Sequence, residues 1–229
     1  IFFFFLRKYL NKDNVFCTSS AAASLEIIAM LLDLKKGDEV IVPAMLHTAT
    51  SHAVEYTGAK TVFVDIDFKT GNIDPEKIEK KITNKTKAII IVHMAGLSCE
   101  IESIQKITKK YNLKLIEDCA HSVGTKFKEI HVGNFGVSGC FSFYPTKQIT
   151  TGEGGMLVTN NKDFYRKIKR LKAFGIDKDI NQRKKQGTYD VVSLGFNYRL
   201  TDFQSALGLK QLLNYKKNLK KRHILAKDY

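Results

Sequence analysis

The chain has 229 residues, 37 of them basic and 23 acidic, a formal net charge of +14, and 44% hydrophobic content. Disordered and collagen-like classes are excluded by this composition, and the length allows one large domain with a sizeable core, or one domain and part of a second. Only Arg7, Arg166, Arg170, Arg183, Arg199 and Arg222 are arginines, so the charge reads as a lysine-rich solvated surface. A nucleic-acid patch would gather arginine for phosphate forks and base edges, whereas an anionic small-molecule substrate suits the same field. In chain order, the first feature is the apolar run Ile1–Leu6. It is shorter than a signal-peptide core and far below a membrane span of about 20 residues. The chain opens on Ile1 rather than Met, so its native beginning is expected to lie outside it. Cys17, Cys99, Cys119 and Cys140 form no C-x-x-C pair and are expected to be reduced thiols of a soluble, cytoplasmic protein.

Short apolar runs then alternate with stretches of helical spacing. The runs predict strands at Val40–Val42, Thr61–Asp65, Ala88–His93, Lys114–Glu117, Cys140–Phe143 and Met156–Thr159. Between them Ser24–Leu34, Pro75–Ile82, Glu100–Tyr111 and Lys162–Phe174 predict helices, the second opening on Asp74 as N-cap with Pro75 at the first helical position. Such alternation predicts an α/β fold, a mainly parallel sheet wrapped by helices on both faces, with its chemistry at the carboxyl ends of the strands. Ile176–Gly187 is polar and aperiodic and reads as a loop. Thr201–Tyr229 reads as one long helix capped by Thr201 or Asp202. The whole of residues 1–229 is taken as one large domain, with the long helix leading to a small domain outside the chain.

Two strand ends carry candidate chemistry. In Lys114-Leu115-Ile116-Glu117-Asp118-Cys119-Ala120-His121, a buried strand runs into two acids and a histidine. In isolation this reads equally well as an acid capping the next turn. In Gly139-Cys140-Phe141-Ser142-Phe143-Tyr144-Pro145-Thr146-Lys147, a strand runs out to a lysine, and Gly152-Glu153-Gly154-Gly155 follows. A lysine in such a place can form a Schiff base with an aldehyde cofactor when burial and neighbouring cations depress its pKa. Pyridoxal phosphate requires that lysine, a carboxylate at the pyridinium nitrogen and donors for its phosphate. Taken without its surroundings, Lys147 reads as one more solvated lysine.

The segments GDEVIVPA, YTGAKTVFVDID, GNIDPEKIE, IEDCAH, VGNFGVSGCFSFYPTKQITTGEGGMLVTN and LGFNYRLTDFQSALGLKQL together resemble the DegT/DnrJ/StrS family of sugar aminotransferases. These are pyridoxal-phosphate enzymes of the aspartate-aminotransferase fold (fold type I), and the resemblance runs from about Val15 to Leu213. It implies a three-layer α/β/α domain that transfers an amino group, usually from glutamate, to a keto group of a nucleotide-activated sugar. The products would serve aminosugar, lipopolysaccharide or antibiotic-sugar biosynthesis. Carried over by position, Lys147 is the Schiff-base lysine, Asp118 the carboxylate at the pyridine nitrogen, His121 a neighbour of the phenolic oxygen, and Ser142 a phosphate ligand. Asn197 matches an asparagine that reaches the phosphate in the neighbouring subunit, which implies a homodimer. The sequence departs from the family twice. Where the family reads S-G-T-A-x-L, this chain has Ser20-Ala21-Ala22-Ala23-Ser24-Leu25. Ala21 and Ala22 keep their backbone donors at a helix start, but the lost Thr hydroxyl costs roughly 1–3 kcal/mol unless Ser20 replaces it. His47 falls where an aromatic ring commonly covers the pyridine; the alternative is a histidine at a helix start without cofactor contact. These departures leave open a non-catalytic remnant of the family. A dehydrating relative would carry histidine in place of Lys147. A nucleic-acid module draws only on the net charge, and no membrane partner is expected.

Overall fold

The structure is a computed structural model and describes residues 1–178 and 182–228. Residues 179–181 of the predicted loop and Tyr229 of the predicted long helix lie outside the described residues. Helix α1 (Phe2–Leu10) precedes β1 (Val15–Thr18), α2 (Ala21–Leu31), β2 (Glu39–Pro43), α3 (Thr48–Glu55), β3 (Lys60–Val64) and α4 (Pro75–Ile78). Then follow β4 (Thr86–Val92), α5 (Ile101–Lys110), β5 (Lys114–Asp118), the small pair β6 (Lys126–Phe127) and β7 (Ile130–His131), β8 (Ser138–Ser142), β9 (Gly155–Thr159), α6 (Phe164–Leu171) and α7 (Asp202–Leu225).

Seven strands form one sheet in the order β1-β9-β8-β5-β4-β2-β3. Strands β3, β2, β4, β5 and β8 pair in parallel, and β9 runs antiparallel between β8 and β1. Successive side chains of a strand face opposite sides, and the core divides accordingly. Val40, Val42, Ala88, Ile90, Ile116, Cys140 and Leu157 pack under α2, α3 and α6. Their neighbours Ile41, Ile89, Ile91 and Leu115 pack against α4 and α5. Phe141, Met156 and Val158 meet α1 and α7. Both faces are therefore covered, which explains why the strands read as unbroken apolar runs. This is the expected three-layer α/β/α arrangement.

Every predicted strand is present within a residue or two. The helix expected at Ser24–Leu34 begins earlier, at Ala21, because the Ser20 hydroxyl caps it by accepting from the Ala23 N–H at 3.0 Å. The helix expected at Pro75–Ile82 keeps its Asp74 cap but tightens into a 3₁₀ turn at Glu79–Lys81. The long helix runs Asp202–Leu225, opened by a Thr201–Gln204 capping box. The run at Ile1–Leu6 is the start of α1, whose Phe2, Leu6 and Leu10 are buried. Among the described residues, no helix is long and apolar enough to cross a membrane.

Candidate active site

The carboxyl end of β5 delivers Asp118 to the α2/α3 face of the sheet, on the same side as Ile116. There it is 3% exposed. Its Oδ2 accepts from the Thr50 hydroxyl of α3 at 2.6 Å and its Oδ1 from the Ala120 N–H at 3.0 Å. Strand β8 ends beside it, Cys140 lying opposite Asp118 in the parallel register. The turn after β8 brings Lys147 back, its N–H donating to the Tyr144 carbonyl at 3.0 Å. Burial holds the Lys147 ammonium below the ordinary lysine range, and the Asp118 charge pulls it the other way. A larger share of neutral amine therefore exists near neutral pH than in a solvated lysine. His121 closes the group. Burial first, and then the Lys147 charge, holds its imidazole below the ordinary histidine range, while Asp118 opposes them. Its Nδ1 is buried and has no hydrogen-bond partner among the described residues.

A second feature lies along the same edge. Gly155 of β9 pairs with both Ser142 and Thr18. A Cβ at Gly155 would stand 2.3 Å from the Ser20 carbonyl carbon, so only glycine lets the start of α2 come this close to the strands. The first helical residues, Ala21 and Ala22, precede the point where backbone N–H groups find intrahelical partners. Ser142 is buried at the end of β8, where its hydroxyl accepts from the Tyr144 N–H at 3.3 Å. The Ser20 hydroxyl accepts from Ala23, which leaves its hydrogen as a donor. A carboxylate, a half-buried amine, an orphaned imidazole nitrogen and a backbone cradle thus share one edge. This donor set fits an aldehyde-bearing pyridine with a phosphate arm.

His47 is the N-cap of α3, its Nδ1 accepting from the Ala49 N–H at 3.2 Å. It is exposed, and its charge reaches His121. Asn197 stands apart from this group. Its exposed side chain accepts from Arg199 Nε at 3.1 Å, while the next residue, Tyr198, receives the Ser19 N–H at 2.9 Å.

The matching family model describes the DegT/DnrJ/EryC1/StrS aminotransferases and covers residues 4–229. The chain belongs to this family. It is 41% identical over 226 residues to the uncharacterized protein MJ1066 of Methanocaldococcus jannaschii, which is 97% of this chain and 58% of the relative. It is 42% identical over 211 residues to the GDP-perosamine synthase of Escherichia coli O157:H7, with 91% and 56% covered. Among solved structures, a putative sugar aminotransferase, Spr1654 of Streptococcus pneumoniae in its PMP form, superposes with a TM-score of 0.91 at 30% identity. That match covers 99% of this chain and 62% of the other. The chain therefore spans somewhat over half the length of the relatives it matches.

For this DegT-family chain the sequence alone singled out neither Thr50 nor Gln148, and it marked Glu117 only as one of two acids. Thr50 lies on a helix of weak amphipathic pattern, and nothing local marks it as the partner of Asp118. Gln148 donates through Nε2 to the His121 carbonyl. Glu117, on the opposite face from Asp118, accepts from the Gly133, Phe135 and Gly136 N–H groups at 2.7, 2.7 and 2.8 Å and from His93 Nε2 at 3.1 Å. His93 Nδ1 accepts from the Cys99 N–H at 3.1 Å, so Nε2 carries the proton. His93, Glu117 and Cys119 lie close enough to ligate a metal. The imidazole and the carboxylate are already hydrogen-bonded, however, and the group serves to fasten the loops beneath the site.

Proposed function

We propose that this chain carries the cofactor-binding machinery of a pyridoxal-phosphate aminotransferase that aminates a keto group of a nucleotide-activated sugar, with glutamate as amino donor. The observation that carries the proposal is the half-buried Lys147 amine in the field of Asp118, beside the unpaired Nδ1 of His121. When bound, pyridoxal phosphate supplies an electron sink for the pair left behind as a proton leaves the amino-bearing carbon. The residues divide the remaining work. Asp118, oriented by Thr50 and Ala120, keeps a proton on the ring nitrogen. The backbone donors of Ala21 and Ala22, with Ser20 and Ser142, hold the phosphate at the positive end of α2. His121 offers Nδ1 to the ring's oxygen, and His47 stands at the entrance, where an imidazole can stack. Lys147 would hold the cofactor through its amine and, once free, would serve as the general base and acid at the amino-bearing carbon.

The substrate class is supported by the GDP-perosamine synthase relative and by the net charge of +14, which favours a diphosphate-bearing sugar. Asn197, exposed in the single chain, suits contact with the cofactor phosphate of a second copy, and we take the working form to be a homodimer in the cytoplasm. Its product would be an aminosugar for a cell-surface polysaccharide such as lipopolysaccharide, or for an antibiotic. The test is to add pyridoxal phosphate, record the visible spectrum, reduce with borohydride and locate the added mass. The expected result is a visible band and a pyridoxyl group on Lys147, both lost in Lys147→Ala. Absence of cofactor uptake, or a band that survives Lys147→Ala, overturns the proposal. The Ala21-Ala22 pair favours the alternative of a non-catalytic relative, which would bind the cofactor and leave glutamate unconverted.

A further inference from the structure

Residues 144–148 form the tip of the turn that carries Lys147. Its base is closed by backbone bonds between Phe143 and Thr151 and between Phe143 and Gly154, each 2.9 Å, and by Thr150 Oγ1 on the Phe143 carbonyl at 3.0 Å. At the tip, Tyr144, Pro145 and Thr146 are exposed. Among the described residues, the one hydrogen bond from the tip to the turn that carries His121 runs from Gln148 Nε2 to the His121 carbonyl. That carbonyl receives no backbone N–H among the described residues and is flanked by Gly96. There a Cβ would stand 3.1 Å from the carbonyl oxygen, and the Gly96 carbonyl itself is tied to Thr125 Oγ1 at 2.7 Å. A carbonyl requires a donor, which fixes the amide orientation of Gln148. Its Oε1 is then left buried without a partner among the described residues, as is His121 Nδ1. A glutamine kept only for structural satisfaction would pair both ends of its amide. Here one end is committed to a single task, joining the lysine-bearing turn to the histidine-bearing one.

We infer that Gln148 is a positioning residue that sets where the Lys147 amine stands relative to Asp118 and His121, by clamping the turn to the His121 carbonyl. This deepens the aminotransferase reading and rests on it. Small displacements of a reacting amine have large consequences for its chemistry, and its protonation depends on distance from the Asp118 charge. Gln148→Met removes the donor at similar length without adding charge, and Gln148→His restores a donor. After addition of pyridoxal phosphate, three quantities are read: the borohydride-fixed mass on Lys147, the pH midpoint of the visible band, and the melting temperature before addition. The expected result is labelling of Lys147 in all three proteins. The midpoint should move by about one pH unit in Gln148→Met and return toward the parent value in Gln148→His, with melting temperatures alike. A labelled Gln148→Met protein with an unmoved midpoint overturns the inference while leaving the aminotransferase reading intact. So does a moved midpoint that Gln148→His fails to restore. An unlabelled parent protein defeats the aminotransferase reading, and the inference with it.

Discussion

Glu117 and Asp118 are consecutive residues of β5, 0% and 3% exposed, yet they sit in opposite surroundings because a strand turns successive side chains to opposite faces. Glu117 looks toward the α5 side and accepts four hydrogen bonds, three from backbone N–H groups of the 133–136 loop and one from His93. Asp118 looks toward α3 and accepts two, with Lys147 and His121 in its field. A carboxylate has about four lone-pair sites. Glu117 is saturated and Asp118 is half used. Burial alone does not mark a functional acid; the capacity left after its neighbours have been counted does.

The sharpest break in this pair comes from amidation of each member. In Glu117→Gln, whichever way the amide is turned, its NH₂ confronts either the Phe135 and Gly136 donors or those of Gly133 and His93. The clash strands buried donors, and we expect a stability loss of about 2–4 kcal/mol. Thermal or urea unfolding of the protein without cofactor would measure it. Asp118→Asn should do the reverse. Its remaining carbonyl accepts from Ala120, and the Thr50 hydroxyl can rotate to accept from the new amide, so stability changes by less than about 1 kcal/mol. Amino transfer should instead fall about 10²–10³-fold, the usual scale for removing one preorganised electrostatic group. If Asp118→Asn unfolds and Glu117→Gln loses only activity, the roles assigned to the two acids are inverted.

The sequence made part of this legible. The central strands carry apolar runs buried on both faces, so their positions needed no tertiary information. Asp118 ends one of them and Lys147 follows another, but alone these two read as a turn cap and a solvated lysine, and only the family resemblance gave them roles. β1, by contrast, has four residues and gains its place by pairing antiparallel with β9, a partner more than 130 residues away. Helix α3 mixes Thr, Ser and His with few apolar residues, so its one buried seam (Thr50, Ala53, Val54) appears only once the sheet is beneath it. Glu117 was visible as an acid, but its saturation depends on a loop 16–19 residues downstream. The alternation rule alone could have told that Glu117 and Asp118 cannot serve the same face.

Thr50 offers a finer probe of the half-used acid. Thr50→Val preserves shape and deletes the donor to Asp118 Oδ2. The carboxylate then loses the bond that orients it, and on the proposed reading its contact with the ring nitrogen weakens. We expect pyridoxal phosphate affinity to drop about tenfold, or about 1.4 kcal/mol, with a smaller rate loss than in Asp118→Asn. Spectroscopic titration of the cofactor reads the affinity. An unchanged affinity would mean that Ala120 alone orients the acid.

The smallest expected effect concerns His121, and it is a matter of pH. Burial and the Lys147 charge lower its pKa in the folded protein, while the unfolded chain protonates near the ordinary value of about 6.5. Between the lowered value and about 6.5 the unfolded state therefore binds more protons. Stability is undiminished above that window and declines as pH falls through it. His121→Gln removes the titrating group and should flatten this acid-side decline in the cofactor-free protein, without changing the plateau at higher pH. Melting temperatures recorded across the window in both proteins decide it. Equal slopes would show that the decline arises elsewhere, and that the unpaired Nδ1 is tolerated in both charge states. A flattened slope would tie the acid sensitivity of the cofactor-free protein to the imidazole that the proposed function places beside the cofactor.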